Sequence, residues 1–140
     1  MITHPHLPFP AEAKFHPELR LVTWHPRGVL NAALAREILE FLEGQEESNP
    51  EPFHRYADLT SLSGIHLEAD DMLEIGGRRV SKYHGPGVKS AMLAFKAIDF
   101  GIAEMYARLI RKSPIQVRVF CRITSAAVWL GMPIEVLAAA

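Results

Sequence analysis

Near its start the chain alternates between apolar and polar positions with a period of two. The stretch LVTWH follows that alternation, and it predicts a strand from Leu19 to His25. A shorter strand is predicted from Lys14 to His16, on the other side of a turn at Pro17. Because Pro26 and Gly28 interrupt the pattern, the strand pair ends there and the chain enters a new element.

The period then changes to that of a helix. Asn31 is a favourable N-cap, and Gly44 stands where a left-handed residue would end the helix. Between them, apolar residues recur at the spacing of one helix face: Leu34, Ile38, Phe41 and Leu42. The segment is predicted to be an amphipathic helix that packs its apolar face on the strands.

Strands and helices alternate over the rest of the chain. The predicted elements are strands at 53–59, 88–95 and 115–121 and helices at 67–85, 99–113 and 124–131. Strands that alternate with helices of this length form parallel pairs joined by right-handed crossovers. The sequence therefore predicts an α/β fold with an open sheet of about five strands, mostly parallel with one N-terminal antiparallel strand, and helices packed on the sheet.

Polar residues mark the expected ends of the later helices. Asp99 is placed to cap the helix of 99–113, and Thr124 or Ser125 is placed to cap the last helix. Gly131 stands where a left-handed residue would end that helix.

Composition and charge narrow the class of protein. The 140 residues predict one domain at 13–132, with a flexible N-terminal arm at 1–12 and a C-terminal tail at 133–140. The net charge is −1, which gives no reason to expect a nucleic-acid partner. A single cysteine, Cys121, excludes an internal disulfide and suits a reducing cytoplasm. No apolar run reaches about 18 residues, so we expect a cytoplasmic protein that is at most peripheral to the membrane.

Three stretches together resemble the STAS superfamily, and within it the SpoIIAA-like bacterial proteins that are sometimes grouped with SEC14-type folds. TWHPRGVLN is similar to the opening strand that leads into the first helix. RYADLTSLSGI is similar to the second core strand, and VRVFCRITSAAVWLG to the closing strand and helix. The resemblance covers roughly 13–132 and implies a SpoIIAA-like fold that binds a small lipid-like or other apolar ligand, with contact to a membrane.

In the phospho-switched members of that superfamily, a serine in an Asp-Ser-Ser-Gly stretch opens the helix after this second strand. Register from Asp58 puts Leu67 or a neighbour where the serine belongs, so the phosphoserine switch is not carried over. Thr60 and Ser63 are predicted instead to bond free backbone N–H groups at a loop and helix start. The alternative function is a regulatory protein–protein interaction module with a partner surface at Asp58, Thr60, Ser61 and Ser63.

Soft and aromatic side chains on the middle helices and strand are the candidates for a ligand pocket. They are Met72, Gly76, Met92, Phe95, Phe100, Met105 and Tyr106. We expect the pocket between the sheet and the second and third helices, while simple core filling is the competing interpretation. The Gly76–Gly77 pair is interpreted as close packing on a neighbouring helix, with a hinge or a backbone-lined pocket as the alternatives.

Basic residues cluster on the later turns of the same two helices. They are Arg78, Arg79, Lys82, Arg108, Arg111 and Lys112. Projecting outward, they would form a patch for an anionic headgroup or membrane surface. The alternative is a solvated face whose charges complement the C-terminal helix ends.

Catalytic and metal chemistry have little support in the sequence. The seven histidines lack metal-ligand spacing, so no metal and no cofactor are expected. An enzyme would have to use His25, Asp58 or Cys121, but no nucleophile, base and orienting group form a recognisable set. We expect a non-enzymatic protein. Self-association as a homodimer through an edge strand or an exposed helix is a further hypothesis.

Overall fold

The structure is a computed structural model that describes residues 12–139. Residues 1–11 of the predicted arm lie outside the described residues. The strands are β1 (Ala13–His16), β2 (Leu21–Trp24), β3 (Gly28–Asn31), β4 (His54–Asp58), β5 (Leu62–His66), β6 (Val88–Leu93) and β7 (Ile115–Phe120). The helices are α1 (Ala32–Ser48), α2 (Ala69–Lys82), α3 (Ala97–Leu109), α4 (Ile123–Leu130) and α5 (Ile134–Ala138).

Five strands form the main sheet in the order β1-β2-β4-β6-β7. The β1–β2 pair is antiparallel, and the other three pairs are parallel. This arrangement confirms the predicted α/β fold, including its antiparallel N-terminal strand. Because parallel neighbours need long crossovers, the intervening helices are carried across the faces of the sheet.

The two faces of the sheet are covered by different helices. On one face, alternate strand residues such as Val22 and Met92 pack with apolar residues of α1, α2 and α3. On the other face, Leu21, Ala91 and Leu93 pack with α4 and α5. Below, these are called the α1–α3 face and the α4–α5 face.

A small parallel sheet of β3 and β5 was not predicted. The chain leaves β2 through Gly28, whose φ of 75° suits glycine, and the pairing register shifts between Gly28 and Val29. β3 directly precedes α1, and β5 precedes α2. The pairing of the two strands therefore holds the starts of both helices near each other.

Several helix boundaries differ from the predicted ones. α1 continues past Gly44 to Ser48, because nothing at Gly44 forces a left-handed turn. α3 begins at Ala97, so Asp99 lies buried in its first turn rather than at its N-cap. α4 begins at Ile123, with Arg122 at the N-cap.

Consequently Thr124 and Ser125 lie inside the first turn of α4 and do not cap it. Gly131 ends that helix with a φ of 70°, as predicted. The segment predicted as a C-terminal tail contains α5, whose Leu137 is 0% exposed.

The two central glycines of α2 have different surroundings. A Cβ built on Gly76 would lie 3.0 Å from the Cβ of Leu109, so α2 and α3 approach closely at this position. A Cβ on Gly77 would have nothing within 4 Å. Close packing of α2 on α3 therefore explains why residue 76 is a glycine, whereas no contact requires a glycine at residue 77.

Candidate functional site

An apolar cavity of about 120 Å³ lies on the α1–α3 face of the sheet. Strands β2, β4 and β6 form its floor, and side chains from α1, α2 and α3 form its walls. Its apolar lining includes Val22, Ile38, Leu39, Met72, Ile75 and Met92. Protein interiors are usually close-packed, and an apolar cavity of about 150 Å³ stays dry yet accepts a guest the size of benzene. The space is therefore suited to a small apolar group.

Three of the predicted ligand-binding residues, Met72, Met92 and Tyr106, line this cavity. They come from α2, β6 and α3, so parallel crossovers bring distant parts of the chain to one place. α1 also contributes to the walls, which the sequence interpretation had not included.

The other four predicted ligand-binding residues are placed elsewhere. Gly76 packs against Leu109 at the α2–α3 contact. Phe95 is 66% exposed and Met105 is 41% exposed. Phe100 is half-buried but is not part of the cavity wall.

One end of the cavity adjoins a buried ion cluster that joins β4, α1 and α2. Arg55 donates through Nη2 to Oε2 of Glu46 at 2.7 Å, and Arg79 donates to the same oxygen. The side chains of Arg55, Arg79 and Glu46 are 7%, 1% and 12% exposed. Within residues 12–139, Glu46 is the one carboxylate that forms an ion pair with either arginine. Glu43, which is paired with Arg78, also acts on Arg79 electrostatically.

Aromatic rings and burial set the electrostatics around Arg55. Its guanidinium carbon lies 4.6 Å from the ring centre of Phe53 and 5.1 Å from that of Tyr83. Burial lowers the pKa of Arg55, and the nearby carboxylate of Glu46 opposes that change. Burial raises the pKa of Tyr106, which lines the cavity nearby. The cluster is thus a desolvated, positively charged region within an apolar layer.

Three residues that line the cavity have a buried side-chain polar atom without a hydrogen-bond partner among residues 12–139. These atoms are the indole Nε1 of Trp24, the Nε of Arg55 and the hydroxyl of Tyr56. Tyr56 packs in the cluster of the α4–α5 face, whereas Trp24 packs in that of the α1–α3 face. Buried donors are normally paired, so each of these atoms needs an explanation.

The predicted basic patch does not form as a single surface. Arg79 is buried in the ion cluster, so its predicted outward projection is wrong. Arg78 is half-buried and makes two hydrogen bonds of 2.8 Å to the carboxylate of Glu43. The exposed remainder consists of Lys82, Arg108, Arg111 and Lys112.

The predicted partner surface begins with a local turn. Oδ1 of Asp58 accepts from the backbone N–H of Thr60 at 2.9 Å and from its hydroxyl at 2.6 Å. Ser63 is exposed within β5, and Ser61 is exposed just before it. The N-cap of α2 is Glu68, so the helix-start part of the prediction for Thr60 and Ser63 is wrong, and the loop turn is closed by the Asp58 carboxylate.

That helix, α2, has its own acidic N-terminal contact. The carboxylate of Asp71 accepts from the backbone N–H of Glu68 at 2.9 Å. This contact satisfies a backbone donor at the helix start.

The three candidate catalytic side chains have separate surroundings. Nε2 of His25 is 2.8 Å from the carbonyl of Leu137, and Asp58 bonds Thr60. Cys121 is exposed.

The described part of the chain holds no group of three or more His, Cys, Asp or Glu side chains placed to share a metal ion. Among residues 12–139, none of the helices combines the length and hydropathy needed to traverse a bilayer.

Comparison with known proteins gives the fold a name. No protein-family model and no curated protein sequence matches this chain. Its structure is similar to that of an uncharacterized protein from the DUF3478 family with a SpoIIAA-like fold, from Shewanella loihica PV-4. The TM-score is 0.51 at 17% identity, over 79% of this chain and 83% of that chain.

The fold and this likeness define the class: an α/β protein with a SpoIIAA-like fold. The expected resemblance is confirmed at the level of the fold. At 17% identity the likeness carries no information on ligand or partner.

Proposed function

We propose that this protein is a non-enzymatic binding module that takes a small apolar or amphipathic ligand into the cavity on the α1–α3 face. The observation that supports the proposal is the cavity itself, which lies in an otherwise layered and packed domain. Its walls include two methionines, Met72 and Met92, whose flexible side chains adapt to a guest.

We also propose peripheral membrane association, with fewer basic residues than the sequence pattern indicated. Arg78 and Arg79 are engaged with Glu43 and Glu46, so they contribute little to an anionic surface. The exposed residues that support membrane contact are Lys82, Arg108, Arg111 and Lys112.

A second candidate function is a regulatory protein–protein interaction module without a phosphoserine switch. It is favoured by an exposed apolar pair, Phe95 at 66% and Ile98 at 75%. Between them, Lys96 donates from Nζ to the carbonyl of Leu62 at 3.0 Å. This bond ties the apolar pair to the strand that carries Ser63, so both features lie at one edge.

The ligand-binding proposal is tested with benzene as a small apolar probe and with a variant that fills the cavity. Ala103 is 4% exposed and lines the cavity, so Ala103→Leu should occupy the space that the probe needs. We expect benzene to shift methyl NMR signals of the cavity lining in the native protein but not in Ala103→Leu.

Ala33→Leu is the matched control, because Ala33 is exposed on α1 and does not line the cavity. Benzene should shift the same signals in this variant as in the native protein. If benzene leaves the native signals unchanged, the cavity does not admit guests and the proposal fails.

A further inference from the structure

Two unpaired N–H donors belong to residues that line the cavity. Arg55 is 6% exposed and Trp24 is 7% exposed, and both line the cavity. Each has a buried N–H, at Nε and Nε1, without an acceptor among residues 12–139. A hydrocarbon guest would leave both donors unpaired, whereas a guest with an acceptor oxygen would satisfy one of them once that side chain turns its N–H toward the cavity.

The charge of the ion cluster favours an anionic acceptor over a neutral one. Glu46 is the single carboxylate bonded to both Arg55 and Arg79 within the described residues. The rings of Phe53 and Tyr83 compensate Arg55 only partly, since a ring face carries no net charge. A carboxylate at this end of the cavity would balance the remaining positive charge.

The strand register places a hydroxyl residue, Ser90, beside Arg55 in the sheet. Arg55 pairs with Ser90 across β4 and β6, and both side chains line the cavity. Val22 pairs with Arg55 across β2 and β4, so Trp24 lies two positions further along the neighbouring strand. The polar end of the cavity therefore centres on Arg55 and Ser90, and the donor of Trp24 lies further toward the other end of the strands.

We infer that the occupant is a small monocarboxylic acid of about six carbons, with its carboxylate at Arg55 and its apolar chain in the rest of the cavity. The inference rests on the proposed function, because it requires an occupied cavity. A free short-chain acid and a longer lipid acid share this headgroup chemistry. The volume of about 120 Å³ favours the shorter one.

Calorimetric titration with hexanoate and 1-hexanol at pH 7 separates the headgroup from the apolar body. Because a hydrogen bond to a charged group is worth more than a neutral one, hexanoate should bind about tenfold or more tightly than 1-hexanol. Hexanoate should also bind more tightly than dodecanoate. Tighter binding of dodecanoate would overturn the inferred size of the ligand.

Arg55→Met tests the assigned residue. It removes the unpaired Nε and leaves Glu46 and Arg79 as a balanced pair, so the variant is expected to fold. It should bind 1-hexanol as the native protein does and should lose the preference for hexanoate. Arg78→Met is the control, because it removes the same charge from a residue outside the cavity wall and should leave both affinities unchanged.

Other outcomes distinguish the two proposals. If neither hexanoate nor 1-hexanol binds, and benzene also fails to bind, the proposed function fails. If both bind with equal affinity, the cavity accepts ligands and only the acid inference is overturned. If Arg55→Met does not fold, Ser90→Ala decides, because it removes only the hydroxyl at the polar end of the cavity. It should weaken hexanoate several-fold, and unchanged affinity would overturn the inference.

Discussion

The two faces of the central sheet are built from one set of strands, yet they differ in packing and polarity. The α4–α5 face is close-packed: Leu21, Ala91, Ala126 and Leu137 are all 0% exposed. The α1–α3 face holds a cavity of about 120 Å³ and the ion cluster of Arg55, Glu46 and Arg79.

The difference shows that close packing on the α4–α5 face can stabilise the fold while the α1–α3 face contains a cavity. Small alanines let α4 approach the sheet, and Leu137 anchors α5 beside it. On the α1–α3 face, empty space, two unpaired donors and a carboxylate shared by two arginines occur together. The α4–α5 face has one unpaired buried side-chain atom among residues 12–139, the hydroxyl of Tyr56. Such clustering is expected at functional sites rather than at random positions.

The largest effect is expected from the carboxylate of the ion cluster. Glu46→Gln would leave Arg55 and Arg79 buried without a counter-charge, which should lower the free energy of unfolding by about 3 to 5 kcal/mol. Urea denaturation measures this change.

Glu43→Gln is the control, because Glu43 pairs with the half-buried Arg78. It should cost about 1 kcal/mol or less. If both variants lose the same free energy of unfolding, the ion cluster on the α1–α3 face contributes no more to stability than the half-buried pair of Glu43 and Arg78.

A second prediction compares neighbouring residues of β6 that point to opposite faces. Leu93 is 2% exposed on the α4–α5 face, and Met92 is half-buried at the cavity. Leu93→Ala should cost about 3 kcal/mol, because it creates a void in a filled layer.

Met92→Ala should cost about half as much, because its side chain already lacks contacts on the cavity side. Both values come from urea unfolding. A larger cost for Met92→Ala would mean that the cavity wall is as well packed as the opposite face.

The division between the faces also explains what the sequence could predict. The main sheet and most helices follow from local periodicity, because strands such as β7 and helices such as α1 have one clear buried side. The β3–β5 pair joins residues 28–31 to 62–66, and its short strands carry no clear alternation. This pairing depends on contacts between distant parts of the chain, so local periodicity could not predict it.

The candidate site was predicted only in part. Met72, Met92 and Tyr106 were recognised by their soft or broad side chains, and they do line the cavity. The role of Arg55 was missed, although a charged residue at a core-facing position of an apolar strand is itself a signal. The burial of Arg79 depends on Glu46 from a different helix, and no local pattern reveals that pairing.

The smallest expected effect concerns the helices that cover the cavity. Gly76 allows α2 to approach Leu109 of α3, so Gly76→Ala should destabilise the protein despite the better helix propensity of alanine. Gly77 is exposed and a Cβ there meets nothing within 4 Å, so Gly77→Ala should stabilise by up to about 1 kcal/mol. The opposite signs, measured by thermal unfolding, would show that α2 and α3 are already in tight contact above the cavity. If Gly76→Ala also stabilised, the two helices could separate easily, and the cavity beneath them would reflect loose packing of the whole layer.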